Sequence, residues 1–219
     1  VTLVSSANFE SAQTSYSFDV IATDRAGLTD TQSVNVSVTD VDEFNVSAIS
    51  DDDTTANTLA ENASSGAAVG ITALATDDDG TTNTITYSLS SNPGNLFAIG
   101  SSSGIVTLSQ SDSLDYEAAT SHTIEVTATS ADTSASTQSY TIAVTDVDEF
   151  DVTTPTDDNN VTNEIDENAS AGTVGITASA SDADGTTNTI TYSLTNDDGG
   201  NFVIDSGTGV VSTAGPLNH

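Results

Sequence analysis

Gly80–Leu89 reads GTTNTITYSL, and the same ten residues return unchanged at Gly185–Leu194, 105 positions further along. Within the first copy Ile85, Tyr87 and Leu89 fall on alternate positions, the period of an extended strand with one buried face. Asp and Gly precede it and Ser, Asn, Pro and Gly follow it, so both ends are punctuated by turn formers. The same alternation recurs at Ile124, Val126 and Ala128 in TIEVTA, and at Tyr140, Ile142 and Val144 in YTIAV. Thr and Val crowd the positions between, as half-buried antiparallel strands require. No segment carries a helical stripe. About seven such strands fit a repeat of roughly 105 residues, which predicts an all-β chain of tandem Greek-key β-sandwich modules of the immunoglobulin-like kind.

A second duplication sets the frame of the repeat. VTDVDEF at Val38–Phe44 returns at Val144–Phe150, 106 positions later. Linkers placed just after these segments give one complete module with its linker at 45–150. Residues 1–44 then form the C-terminal half of a preceding module, and residues 151–219 the N-terminal part of a third. VTL at Val1 matches VTL at Val106 and VST at Val211, so the chain is about two repeats long but permuted against the module boundary.

Charge narrows the function. Thirty-three Asp and Glu face one basic residue, Arg25, for a net charge of −32. Nucleic acid and anionic lipid are repelled by such a surface. Two carboxylates held about 5 Å apart repel by roughly 3 kcal/mol at an effective dielectric near 20. Several at one place demand protons or a cation, and protons are scarce at neutral pH. The absence of Cys removes disulfides and thiolate sites, leaving hard cations that prefer oxygen. No apolar run approaches the ~18 residues of a membrane span, so direct insertion is not expected. With no Met, the chain reads as a piece or a processed product of something longer. Disorder, the default for so acidic a composition, conflicts with the regular alternation of apolar residues.

Five acidic elements recur at matching places. They are Glu-Asn-Ala-Ser at Glu61 and Glu167; Asp-x-Asp-Gly at Asp77–Gly80 and Asp182–Gly185, followed by Asn83 and Asn188; and LDYE at Leu114–Glu117, matched by ANFE at Ala7–Glu10. The linker carries Asp-Val-Asp-Glu at Asp40–Glu43 and Asp146–Glu149, and a variable position falls at Asp24 and Asp132. In this order the elements resemble the cadherin repeat, and more closely the cadherin-like repeats of very large bacterial surface adhesins. The resemblance covers essentially the whole chain. One motif alone says little in an acidic protein; four in family order, two of them duplicated, are specific.

The resemblance implies calcium between consecutive modules. Carried over residue by residue, one joint would use Glu61, Asp115 and Glu117, the linker residues Asp146, Asp148 and Glu149, then Asp182, Asp184 and the backbone carbonyl of Asn188. The other would use Glu10, Asp40, Asp42, Glu43, Asp77, Asp79 and Asn83. That joint is a poorer copy: Asn8 stands where the middle module has Asp115, and the Glu-Asn element of its first module is missing. The linker departs from the family's Asp-x-Asn-Asp-Asn, holding Asp148, Glu149 and Phe150 in the last three places.

Isolated acids beside turns are ordinarily solvated caps. Asp51–Asp53 and Asp157–Asp158 are read that way, as solubilising turns. His122 and His219 stand alone and suggest no catalysis; Asn62 and Asn168 begin formal glycosylation sequons.

The reading is a non-enzymatic, calcium-stiffened segment of a giant cell-surface or secreted adhesin, acting as spacer or homophilic contact. Its partners would be calcium, neighbouring cadherin-like modules and identical chains end to end. A different class remains open: a filament subunit assembled head to tail by complementation of the half-modules, against which stands the duplicated stretch at Val1 and Val211. A carbohydrate-binding accessory module lacks the Trp and clustered aromatics that stack on sugars.

Overall fold

The computed structural model describes residues 2–11 and 13–217, so Val1 and His219 lie outside the described residues. Fourteen strands make up the described secondary structure, with one short 3-10 turn at Pro93–Asn95. They are β1 (Ser15–Thr23), β2 (Thr29–Ser37), β3 (Ser50–Asp51), β4 (Thr58–Ala60), β5 (Ala68–Leu74), β6 (Thr86–Ser91) and β7 (Phe97–Ile99), followed by β8 (Ile105–Leu108), β9 (Ser121–Thr129), β10 (Ala135–Thr145), β11 (Thr156–Asp157), β12 (Thr173–Ser179), β13 (Phe202–Ile204) and β14 (Val210–Thr213). The chain divides into two compact units. Unit 1 comprises residues 1–115 and 119–145, and unit 2 comprises 116–118 and 146–219.

Unit 1 contains a β-sandwich of two four-stranded sheets, ordered β3–β5–β8–β7 and β4–β10–β9–β6. All pairings are antiparallel except β4 beside β10. The alternation legible in the sequence becomes the core. Ile124, Val126 and Ala128 of β9 and Ile142 of β10 are fully buried, as are Val69, Ile71, Val106 and Leu108 of the other sheet. Thr123, Glu125, Thr127 and Thr129 take the alternate, exposed or half-buried positions of β9. The phenol of Tyr87 is buried with the core, and its oxygen accepts the backbone N–H of Ala75 at 2.9 Å, tying the end of β5 to β6.

The same unit holds a two-stranded ribbon, β1 against β2, in register from Ser15↔Ser37 to Thr23↔Thr29. Its apolar residues are poorly covered: Val20, Ile21 and Val36 are all exposed.

Unit 2 has one four-stranded sheet, β11–β12–β14–β13, the counterpart strand for strand of β3–β5–β8–β7. Here the duplicated decapeptide behaves differently. Thr86–Ser91 is a strand because β9 supplies its hydrogen-bond partners, from Thr86↔Thr129 to Leu89↔Val126. The identical Thr191–Leu194 is not a strand, and among the described residues no strand pairs with it. The tyrosine contact survives regardless, with Tyr192 Oη accepting the N–H of Ala180 at 3.1 Å. Strand propensity is thus identical in the two copies, and the missing partner decides the outcome.

Asp51 and Asp157 do more than solubilise their turns. Asp51 Oδ1 accepts the N–H groups of Asp53 and Thr72, at 3.1 and 3.0 Å, bridging the turn to β5. Asp157 Oδ1 does the same for Asn159 and Thr177 on β12, both at 3.1 Å.

Candidate metal centre

In unit 1, carboxylates from three separate stretches converge. Glu10, Asp40, Glu43 and Asp79 each offer an oxygen, and these oxygens all lie within 4.8 Å of one another. Glu10 is placed by a turn in which Asn8 Oδ1 accepts its N–H at 2.9 Å. Asp40 and Glu43 come from the linker after β2. Asp79 sits in the Asp-Asp-Asp-Gly turn after β5 and is only 1 % exposed.

The turn around Asp79 is built from its own sequence. Asp77 Oδ1 accepts the N–H of Asp79 at 3.1 Å. Asp79 Oδ2 accepts the Thr82 hydroxyl at 2.7 Å and the N–H groups of Thr82 and Thr81 at 3.2 and 3.4 Å. These bonds, the Thr82 hydroxyl first, outweigh burial and hold Asp79 below the usual carboxylate range. Asn83 Nδ2 closes the loop onto the Asp79 carbonyl at 2.7 Å. The Thr81 hydroxyl donates to Asp40 Oδ2, linking turn to linker.

Gly80 explains why the turn lies so close. A Cβ there would stand 2.7 Å from Phe9 Cδ1 and 3.2 Å from Glu10 Oε1.

What the protein itself leaves unsatisfied is more telling. Glu10 Oε1 and Oε2, Asp40 Oδ1, Asp77 Oδ2 and Asp79 Oδ1 are inaccessible to solvent and have no hydrogen-bond partner. Five orphaned carboxylate oxygens in one place are costly unless a cation binds them. Burial first, then the charges of Asp132, Asp79, Asp77 and Asp40, pushes Asp42 up from its ordinary value. Burial and then Glu10, Asp79, Asp40 and Asp42 do the same to Glu43. An all-oxygen, acidic donor set of this kind fits a hard divalent cation such as calcium, which takes six to eight oxygens.

Of the seven residues the sequence assigns to this joint, four form the mutual group. Asp42 and Asp77 flank it, and Asn83 supports the turn through its amide. Asp132, left outside the assigned set, is the first charge felt by Asp42. Its position in a variable hairpin, where ATSAD stands against ATDRAG, hid it.

Unit 2 repeats the chemistry. Glu117, Asp146 and Glu149 bring oxygens within 4.8 Å of one another. Asp182 Oδ1 accepts the N–H of Asp184 at 3.1 Å, repeating the Asp77–Asp79 turn. Asp184 is 1 % exposed, and its Oδ2 is buried and orphaned, as is Asp146 Oδ1. The Thr186 hydroxyl donates to Asp146 Oδ2. A carboxyl–carboxyl hydrogen bond to Asp184, then burial, pushes Asp148 up. A Cβ at Gly185 would stand 2.6 Å from both Tyr116 Cδ1 and Glu117 Oε1. Asn188 is exposed after this turn. In unit 1, Glu61 is buried immediately after β4, its N–H donating to the Thr145 carbonyl at 3.1 Å, whereas Asp115 is exposed.

The family model described as Cadherin domain matches residues 55–147 and 162–219. Human protocadherin Fat 4 is 40 % identical over 138 residues, 61 % of this chain and 3 % of that protein; mouse protocadherin Fat 4 is 37 % identical over the same length. The chain therefore spans a small fraction of these relatives. Among solved structures, three extracellular cadherin domains of mouse cadherin-23 superpose with a TM-score of 0.69 at 26 % identity, covering 98 % of this chain and 68 % of that one. Cadherin domains 1–5 of protocadherin gamma B2 give 0.72 at 21 % identity, covering 97 % and 41 %, a likeness of fold.

Proposed function

Because the chain belongs to the cadherin domain family, we propose that it is a calcium-binding segment of a large extracellular adhesion protein, whose repeats are stiffened by ions held at their joints. The observation that carries this reading is the group Glu10, Asp40, Glu43 and Asp79 with its orphaned, solvent-inaccessible oxygens. Calcium would supply positive charge where these carboxylates otherwise repel, and would draw the linker residues Asp40 and Glu43 to the turn of Asp79. Asp42, Asp77 and the carbonyl of Asn83 complete the assignment, with Asp132 added.

The same role is proposed for Glu117, Asp146, Asp148, Glu149, Asp182, Asp184 and Asn188. Glu61 and Asp115 keep the ligand role the resemblance gives them. Module limits of 1–44, 45–150 and 151–219 belong to the same proposal. The great excess of acid over base supports a very large surface array of bacterial type, since charge of one sign keeps a long chain soluble and apart from its neighbours. Spacing and like-to-like contact are the activities such an array serves.

Thermal unfolding and solution scattering during a calcium titration test the reading. Mass action raises stability wherever the ion binds only the folded form. A higher melting temperature together with a stiffer scattering envelope is expected. Identical curves in calcium and in chelator would sink it.

A further inference from the structure

The aspartates of the acidic turns and linkers divide their two oxygens between separate duties. Asp40 Oδ2 accepts the Thr81 hydroxyl, while its Oδ1 is buried without a partner. Asp79 Oδ2 accepts the Thr82 hydroxyl and two N–H groups, and its Oδ1 is left in the same state. Asp77 Oδ1 accepts the N–H of Asp79 and leaves Oδ2 orphaned. Unit 2 keeps the pattern: Asp146 Oδ2 accepts the Thr186 hydroxyl, and Asp146 Oδ1 is orphaned. Asp184 Oδ1 accepts the N–H of Thr186 at 3.5 Å, and its Oδ2 is orphaned. Glu10 departs from the pattern, with neither oxygen partnered.

The hydroxyl donors differ in reach. Thr82 bonds Asp79, three residues back, and so belongs to the turn itself. Thr81 reaches across 41 residues to the linker. Thr186 does the same across 40 residues to Asp146. Both long-range donors come from the Gly-Thr-Thr-Asn that follows each Asp-x-Asp, and both are exposed, so neither fills a core position. A hydroxyl suits this place. It fixes one carboxylate oxygen without cancelling the charge, so the other oxygen keeps its attraction for a cation. A lysine or arginine at the same position would compete with the ion.

We infer that Thr81 and Thr186 are positioning residues for the bound ion. Each clasps the linker aspartate by one oxygen and presents the other, already in place, as a single-oxygen ligand. The inference rests on the calcium reading above and adds to it what sets the affinity. An unclasped Asp40 must lose the rotation of its carboxylate when the ion arrives. The clasp removes that freedom beforehand, and preordered ligands bind more tightly. It also withholds Oδ2, so that Asp40 offers one oxygen while Glu10 is free to offer two, and calcium accepts both modes.

Two substitutions separate the hydroxyl from the rest of the side chain. Thr81→Val keeps the branched shape and removes the hydroxyl; Thr81→Ser keeps the hydroxyl. Calcium affinity is read by calorimetric titration of the folded chain well below its melting temperature, where a loss of stability alone does not move it. Thr81→Val is expected to weaken one class of bound calcium about tenfold, the scale of one lost hydrogen bond to a charged group, and to leave the rest unmoved. Thr186→Val should weaken a different class, and the double variant both. Thr81→Ser should bind as the parent does. A Thr81→Val variant with the parent's affinities overturns the clasp and leaves the calcium reading standing. So does a Thr81→Ser variant as weak as Thr81→Val, because the methyl group and not the hydroxyl would then matter. A parent chain that binds no calcium removes the reading and the clasp together.

Discussion

The ring of Phe9 occupies the space that a side chain at position 80 would need, its Cδ1 lying 2.7 Å from where a Cβ on Gly80 would stand. Tyr116 and Gly185 repeat the relationship at 2.6 Å. An aromatic residue thus packs on the glycine of the acidic turn, and the neighbouring glutamate, Glu10 or Glu117, is delivered beside it. Gly80→Ala should push ring and carboxylate away together. Overpacking of this kind costs about 1–3 kcal/mol, so calcium should bind roughly tenfold more weakly, read from the midpoint of a calcium titration of melting temperature. An unshifted midpoint would show that the ring does not position Glu10.

Neutralising Asp79 separates electrostatic strain from structure. Asp79→Asn keeps one oxygen to accept from Thr82 but removes a charge from the group with Glu10, Asp40 and Glu43. In chelator the variant should melt below the parent, because the hydrogen bonds of the turn, the Thr82 hydroxyl first, favour the ionised carboxylate. On adding calcium it should lose most of the parent's rise. A variant that gains as much from calcium as the parent does would assign Asp79 a purely structural role.

Stability of the calcium-free chain should depend on pH in two opposed ways. Asp42, Glu43 and Asp148 are raised in the folded state, so the stability they contribute is complete below their ordinary values of 3.8 and 4.5 and is lost as pH rises through the folded values. Asp53, Asp157 and Asp205 are lowered, by the N–H and hydroxyl of Thr55, the N–H of Thr177 and the N–H of Thr208 respectively as leading causes. Their contribution is present above 3.8 and is lost as pH falls through the folded values. The melting temperature in chelator should therefore rise on mild acidification from neutrality, pass a maximum near the ordinary carboxylate values, and fall below it. In saturating calcium the rise should vanish, because protons then compete with the ion. A chelated sample that only loses stability below pH 7 would contradict this account.

Tyr87→Phe leaves the buried N–H of Ala75 without its acceptor. Orphaning a buried backbone donor costs about 1–3 kcal/mol, and the melting of unit 1 should fall accordingly. Tyr192→Phe removes the same bond to Ala180 where burial is incomplete, so its cost should be smaller. Equal losses would mean that burial does not set the difference.

Much of this was legible in the sequence because two signals coincide. Alternation at Ile124, Val126, Ala128 and at Tyr140, Ile142, Val144 announces the strands that form the core, and duplication of the acidic motifs announces a shared site. Three things were not legible. The failure of Thr191–Leu194 to form a strand depends on a partner distant in sequence, which no local pattern records. The charge of Asp132 on Asp42 arises from a hairpin whose sequence varies between copies. The bridging by Asp51 and Asp157 looks like ordinary turn chemistry until Thr72 and Thr177 are seen donating to the same oxygens.

The decapeptide with two fates bears on how the molecule is made. Emerging from the ribosome, residues 86–91 must wait for 121–129 before they can pair, and the apolar face around Val69 and Val106 waits with them. Every repeat passes through this half-made stage during translation, with an open edge that invites neighbouring nascent chains to pair wrongly. Aspartate and glutamate scattered through the chain give those unfinished edges a common repulsion. The acidity that burdens the finished joints thus acts as a gatekeeper during synthesis, when no ion site yet exists to cancel it.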